Sequence, residues 1–182
     1  MIKKVNLFTH GTMLFAAVFV MSLNSLGQSD EKKEKIAADA LEAKAEFIKT
    51  DPKMADHFSN AYGYVIFPNV GKGAVGVGGA AGNGIAYEKG VKVGTAKMTQ
   101  LSIGFQGGGQ AFREVIFFEK QAGLDRFKKN KFEFTAQVSA VALKSGASAN
   151  AKYVDGVMVF TMQKGGLMYE AAIGGQKFKF EE

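Results

Sequence analysis

The chain has 182 residues, of which 47% are hydrophobic and 22% charged, so its composition is that of a folded domain and not of a disordered or wholly membrane-embedded chain. It contains 23 glycines, only two prolines and no cysteine. The lack of cysteine excludes a disulfide scaffold, a thiolate metal site and a cysteine nucleophile. One of the two histidines, His10, lies in a segment that we expect to be removed, and a single remaining histidine cannot form a multi-histidine zinc site.

Residues 1–27 have the features of an export signal. Two lysines open the segment, residues 13–21 form an unbroken apolar run too short to span a bilayer, and Ser25 and Gly27 place small residues at the −3 and −1 positions of a cleavage site. We therefore expect signal peptidase to cut before Gln28. The alternative is a retained N-terminal anchor.

Cleavage leaves residues 28–182, enough for a single domain with a hydrophobic core. Loss of the two N-terminal lysines lowers the net charge from +6 to +4. We expect an exported bacterial protein, periplasmic or secreted. Export and the small net charge both argue against nucleic acid as a partner.

The first elements after the signal are predicted to be helices. Apolar residues recur at helical spacing over residues 29–50, with Ser29 as the N-cap. Asp51 and Pro52 then begin a second, short helix, since proline is favoured at the first helical position.

Strand patterns follow. Residues 64–67 are a short apolar run ended by Pro68, and residues 84–94 read as a hairpin that turns at residues 88–90. Further strands are predicted at residues 101–105, 112–118 and 132–141, together with a pair formed by residues 157–160 and 167–173. One helix over residues 121–130 interrupts them. The predicted fold is α+β, a curled, mostly antiparallel or barrel-like sheet with N-terminal helices and one inserted helix, all in one domain.

The glycine-rich segment that begins at Gly71 contains a formal GxGxxG motif over residues 71–76. A dinucleotide site requires a helix to open at the last glycine, so that its amide dipoles meet the pyrophosphate. Here the chain continues with more glycine and enters a hairpin. These glycines therefore favour close strand packing over a nucleotide site, and no cofactor is expected.

Few residues offer catalytic chemistry. His57 would have to serve any Ser-His-Asp triad, and the chain has no GxSxG elbow to present a serine. Glu114 and Glu170 fall inside strand patterns, so a pair of inward carboxylates for glycosidase-like acid–base chemistry is an alternative. A buried glutamate paired with arginine or lysine is the commoner situation, and no catalytic or metal-binding residue is assigned.

Four basic residues occur within six positions at the end of the inserted helix: Arg126, Lys128, Lys129 and Lys131. Cations at a helix C-terminus complement its dipole, which would make the cluster a solvated helix end. The second interpretation is a patch for an anionic headgroup, since two phenylalanines flank it. Both interpretations stay open from the sequence.

Six segments, in order, resemble the SYLF domain, also called the Ysc84-like lipid-binding family. They are residues 61–73 (AYGYVIFPNVGKG), 78–80 (GGA), 99–110, 114–118 (EVIFF), 124–127 (LDRF) and 160–169 (FTMQKGGLMY). The resemblance extends over roughly residues 35–178 and is carried by several segments together.

The resemblance implies a non-enzymatic domain that binds anionic phospholipid at a membrane surface, through basic residues and an amphipathic N-terminal segment. The matching candidates are Lys72 in the glycine-rich segment and, in the first helix, Lys32, Lys33 and Lys35. Actin, a partner of some eukaryotic relatives, is not expected to be a partner of an exported protein. The alternative function is an envelope protein whose sheet docks another protein or self-associates.

Overall fold

The computed structural model describes the backbone of residues 11–75, 77–102, 110–164 and 173–182. The chain divides into two compact units, Met1–Lys35 and Ile36–Glu182. Helix α1 (Gly11–Thr50) contributes residues to both of them. No helix in the described ranges is both long enough and apolar enough to cross a membrane.

The second unit combines helices with one seven-stranded sheet. After α1 the elements are α2 (Met54–Asn60), β1 (Gly63–Val75), β2 (Val77–Glu88), β3 (Val91–Ser102), β4 (Gln110–Phe118), α3 (Gln121–Lys128), β5 (Ala140–Ala142), a 3-10 helix (Ala147–Asn150), β6 (Val157–Gln163) and β7 (Gln176–Glu181). The strand order is β5-β6-β4-β1-β2-β3-β7, and among the described strands only β5 and β6 pair in parallel. The predicted α+β class with a mostly antiparallel sheet is confirmed.

The predicted hairpin of residues 84–94 is also confirmed. Lys89 (φ 48°) and Gly90 (φ 82°) connect β2 to β3, and both have the left-handed backbone that a type I′ turn requires. The N–H of Lys89 donates to the carbonyl of Tyr62 over 2.9 Å. The turn is therefore fixed to the chain segment that enters β1.

The prediction that Pro68 ends its strand is wrong. β1 continues to Val75, and its register shifts between Ile66 and Asn69 against β2 and between Phe67 and Val70 against β4. Proline has no N–H to donate to a ladder, but it is tolerated at a bulge. Pro68 therefore bends the middle strand of the sheet without terminating it.

Both faces of strands β1, β4 and β6 are largely buried, because successive side chains point to opposite faces and both sets are mostly apolar. Along β3 and β7, in contrast, buried residues alternate with exposed ones. One face packs on α1 and α2 to form the helix-side core, which includes Ala40, Ala43, Phe47, Met54, Phe58, Tyr64, Ile66, Ile85, Val115, Phe117 and Phe160. The other face forms the α3-side core, which includes Val65, Phe67, Val70, Met98, Phe112, Ile116, Phe118, Leu124, Phe127, Phe132, Val159 and Phe180.

The sheet curls over the α3-side core. The rings of Phe67 in β1 and Phe178 in β7 lie 5.9 Å apart, although β2 and β3 separate these strands in the sheet. Phe178 also lies within 5.7 Å of the rings of Phe127, Phe132 and Phe134. One face of the sheet is thus folded back on itself, with α3 and the segment after it filling the concave side.

The strand predicted over residues 132–141 is wrong for most of its length. The segment is irregular until β5, and the N–H of Val138 makes a turn-like bond to the carbonyl of Thr135. Phe132 and Val138 are buried in the α3-side core, and Phe134 packs against it. The alternation of apolar residues therefore reflects burial of side chains against the core and not pairing with a neighbouring strand.

Three predicted helix ends also need correction. α2 begins at Met54 with Lys53 at the N-cap position and not at Asp51 and Pro52, although the Asp51 carboxylate accepts the N–H of Lys53 over 3.2 Å. α1 begins at Gly11, so Ser29 is not its N-cap. α3 ends at Lys128 and not at Asn130, because Asn130 has a left-handed backbone (φ 57°) that cannot continue a helix.

Some of the predicted strands lie partly outside the described residues. For the predicted pair of residues 157–160 and 167–173, these are residues 167–172 and most of the connection across residues 164–166. The end of the strand predicted at residues 101–105 also lies outside them. The other member of the pair is β6, which pairs with β4 and β5.

Close backbone approach at Gly84 gives the first prediction. A Cβ atom there would lie 2.5 Å from the carbonyl oxygen of Ile66 and 2.7 Å from Cδ1 of Phe67. Since a backbone atom cannot move aside as a flexible side chain can, Gly84→Ala is expected to lower the free energy of unfolding by about 1–3 kcal/mol, measured by urea denaturation.

Gly71→Ala is the matched control, because a Cβ at Gly71 would meet nothing within 4 Å. Its effect on the free energy of unfolding is expected to stay within about 0.5 kcal/mol. Equal destabilisation by the two substitutions would contradict the close approach at Gly84.

Candidate functional site

The four basic residues at the end of α3, here called the α3 cluster, do not share one environment. Leu124 and Phe127 anchor the helix in the α3-side core, which turns Arg126, Lys129 and Lys131 toward solvent. The N–H of Lys129 donates to the carbonyl of Asp125, and the N–H of Lys131 to that of Arg126. The backbone thus closes the helix end without needing these side chains.

Lys128, in contrast, is engaged in an ion pair. Its Nζ lies 2.8 Å from Oε2 of Glu88, while Oε1 of Glu88 accepts a 2.7 Å hydrogen bond from the hydroxyl of Tyr62. Lys128 and the Tyr62 hydroxyl both hold the pKa of Glu88 below its usual value, and the same bond raises the pKa of Tyr62. Lys128 therefore connects α3 to the end of β2 and contributes little free charge to the surface.

A cavity of about 360 Å³ opens beside Arg126. Phe132, Phe134 and Val138 line it, and the carboxylates of Glu133 and Asp155 lie at the same opening. The lining combines apolar side chains with charges of both signs, and Arg126 of the α3 cluster supplies the positive one.

The N-terminal candidates Lys32, Lys33 and Lys35 lie on α1, within the unit Met1–Lys35. Lys32 and Lys35 are exposed and Lys33 is half-buried. Lys72 lies in β1, where its backbone pairs with Ala80 and Gln110, and its side chain falls outside the described part of the chain. The structure thus places three of these lysines on one helical segment.

A second cavity, of about 570 Å³, lies between the end of α2 and the β2–β3 turn. Lys44 and Lys89 line it together with the aromatic residues Phe58 and Tyr62, and Glu119 supplies the carboxylate at its lining. Sequence analysis assigned no role to either lysine. Lys44 reads as one of many charges on an amphipathic helix, and Lys89 as a turn residue, so no local pattern could have found them.

His57 lies near Asp51 and Ser148, but the contacts are not those of a catalytic triad. Nε2 of His57 is 3.2 Å from the backbone oxygen of Ser148, and Oδ2 of Asp51 accepts the Ser148 N–H over 2.9 Å. In a triad the histidine would contact the serine hydroxyl and the aspartate would contact the histidine. These bonds instead attach the 3-10 helix to α2. No group of three His, Asp or Glu residues suited to a metal ion occurs in the described ranges.

Glu114 is fully buried on the α3-side face of β4, next to Thr161 across the β4–β6 ladder. Its Oε2 accepts a 2.9 Å hydrogen bond from Nε2 of Gln176. The expected arginine or lysine partner is therefore wrong, since a neutral amide takes that place. Burial raises the pKa of Glu114 from the usual 4.5 to about 7, with the Gln176 bond opposing the rise. Glu170, the other candidate carboxylate, lies outside the described residues.

The raised pKa of Glu114 predicts a pH-dependent stability. A carboxyl whose pKa is higher in the folded than in the unfolded state favours folding when it is protonated, and this advantage is lost as the pH rises through about 7. The shift from 4.5 to about 7 corresponds to a loss of about 3 kcal/mol at about 1.4 kcal/mol per pKa unit.

Glu114→Gln, which keeps the shape and can still accept a bond from Gln176, is expected to remove this loss. The measurement is the free energy of unfolding by urea between about pH 5 and pH 8. Other titrating groups cancel in the difference between the two proteins. Parallel pH profiles for the original and substituted proteins would contradict the raised pKa.

Comparison with known proteins agrees with the resemblance seen in the sequence. Residues 99–182, from β3 to the end of β7 and beyond, match the sequence profile of the family Ysc84, described as Las17-binding protein actin regulator. The segments at residues 61–73 and 78–80 lie outside the matched range.

The chain is also similar to Beta cell expansion factor A from Aeromonas veronii, with 32% identity over 126 residues. That alignment covers 66% of this chain and 46% of the relative, so the chain spans about half the length of that protein. Over residues 99–182, which include the α3 cluster and the buried Glu114, the chain thus matches the Ysc84 (SYLF) family.

Proposed function

We propose that this protein binds anionic phospholipid at a membrane surface through exposed basic residues, and that it catalyses no reaction. The observation that carries the proposal is the α3 cluster. Arg126, Lys129 and Lys131 are exposed beside aromatic residues, and none of the three makes an ion pair with the described carboxylates. The match to a family with lipid-binding members supports the same function.

The strength of such a contact follows from the charge available. A lysine or arginine close to an anionic membrane contributes about 1 kcal/mol, so three contribute about 3 kcal/mol, roughly a hundredfold enrichment at the surface. That is a weak attachment. The lysines of α1 at positions 32, 33 and 35 are proposed as a second contact, since two modest contacts on one chain combine.

We also propose that the protein is exported and meets membranes from the periplasmic or outer side. The basic start, short apolar run and small residues of 1–27 support export. In that compartment the anionic surface consists of bacterial phospholipid, and cytoskeletal actin is not a partner.

Lipid binding predicts salt-sensitive sedimentation with anionic vesicles. Lys129→Glu with Lys131→Glu is expected to weaken binding to phosphatidylglycerol vesicles by about tenfold or more, because attraction becomes repulsion at two positions. Raising the ionic strength from about 0.1 M to about 1 M shortens the Debye length from about 10 Å to about 3 Å and should release the original protein too.

The matched control is Lys144→Glu with Lys152→Glu. Both lysines are exposed and flank the 3-10 helix, whose neighbours pack on the helix-side core. The same change of charge at Lys144 and Lys152 should leave most of the affinity for phosphatidylglycerol vesicles. If neither double variant binds less, or if zwitterionic vesicles bind equally well, the basic surface is not the contact. Elution with a protein partner or as an oligomer, without vesicle binding, would favour the envelope docking function.

Export predicts a defined N-terminus. Mass spectrometry of the protein recovered from a bacterial host is expected to show a chain that begins at Gln28, because the small residues Ser25 and Gly27 fit the peptidase. Gly27→Leu should impair this cleavage. Recovery of the original protein with residues 1–27 still attached would support the retained anchor.

A further inference from the structure

We propose that the cavity between α2 and the β2–β3 turn, the Lys44–Lys89 cleft, binds the phosphate ester of a small polyol headgroup. The cleft is separate from the α3 cluster, since none of the cluster's residues lines it. Its volume of about 570 Å³ lies within the roughly 300–1,000 Å³ of ordinary ligand pockets.

Lys44 is positioned by aromatic rings and not by a carboxylate. Its Nζ lies 4.9 Å from the centroid of the Phe58 ring and 5.2 Å from that of Tyr64, and it donates a 3.1 Å hydrogen bond to the Tyr64 hydroxyl. An ammonium over a ring face is attracted by the ring quadrupole while keeping its full charge. Of the three N–H donors of Lys44, the described residues accept one, so the others are available to a ligand.

Lys89 also lies over an aromatic ring. Its Nζ lies 5.2 Å from the centroid of the Tyr62 ring, and its backbone is fixed by the left-handed turn and by the bond to the Tyr62 carbonyl. No described carboxylate makes an ion pair with Lys44 or Lys89, whereas Lys49, Lys97, Lys128 and Lys179 each have a glutamate partner. Two cations that lie over aromatic rings and form no ion pair with a described carboxylate make the cleft attractive to an anion.

The other lining residues define the kind of anion. Lysine ammonium groups bind phosphate as point charges, without the planar geometry that a carboxylate–arginine pair requires. Phe58 and Tyr62 give the cleft an apolar wall against which carbon atoms of a polyol can pack. The carboxylate of Glu119 disfavours a second phosphate on its side and accepts hydrogen bonds from hydroxyl groups. The combination fits one phosphate with hydroxyl groups attached, as in glycerol phosphate.

Such a phosphate ester has two sources, a phospholipid headgroup and a free metabolite. The lipid source rests on the proposed function, whereas the chemistry of the cleft does not. The test therefore has a soluble arm, titration with sn-glycerol 3-phosphate followed by NMR chemical shifts, and a vesicle arm, co-sedimentation with phosphatidylglycerol.

The test variant combines Lys44→Met with Lys89→Asn. Methionine keeps the apolar packing of Lys44 on its two rings, and asparagine tolerates the left-handed backbone of the turn. The control combines Lys49→Met in α1 with Lys92→Asn at the start of β3, which removes the same charge at exposed residues that do not line the cleft. Lys89→Asn alone is a milder variant that removes one charge at an exposed turn.

The cleft is supported if the soluble ligand binds the original protein and the control, and binds the test variant at least about tenfold more weakly. A parallel loss of vesicle binding assigns the phosphate to a lipid, and unchanged vesicle binding assigns it to a free ester. Equal titration of the test variant and the control, or no binding of glycerol phosphate to any protein together with unchanged vesicle binding, overturns the cleft while leaving the proposed function in place.

Discussion

Burial of both faces of strands β1, β4 and β6 is the constraint on which the rest of the structure depends. α1 and α2 cover one face, and the curl of the sheet, with α3 and the segment after it, covers the other. The α3 cluster and the Lys44–Lys89 cleft accordingly lie at a helix end and at a turn, outside these buried strands. Glu114 is a charged residue fully buried within them, and burial raises its pKa.

Local features of the fold could be predicted from the sequence. The turn at Lys89-Gly90, the central strand β4 and the inserted helix each follow from a pattern within about ten residues. The errors arose where a local pattern had a non-local cause. Pro68 is tolerated because β1 has partners on both sides that hold the strand across a bulge, and the alternation after residue 132 is produced by contacts with Phe178, more than forty positions away in the chain.

The candidate site was predictable to the same limited degree. Proximity in sequence identified the α3 cluster, but Glu88, which engages Lys128, is 40 residues away, and no spacing rule connects them. The Lys44–Lys89 cleft was missed for the same reason, since it depends on aromatic rings from α2 and β1 meeting lysines of α1 and of a turn. Charge type can be read from sequence, whereas the partner that neutralises or frees a charge depends on the tertiary fold.

The pairing of β3 with β7 has a kinetic consequence. Thr95 contacts Glu181, 86 positions further along the chain, so the outer edge of β3 has no partner until a long loop closes. Non-local pairing of this kind slows folding and leaves an exposed strand edge in the meantime. Because Phe178 arrives with β7, the rings of Phe67 and Phe127 also stay accessible until then. The chain thus passes through a state with an unsealed aromatic core, in which it is most vulnerable to aggregation and most in need of a holding chaperone.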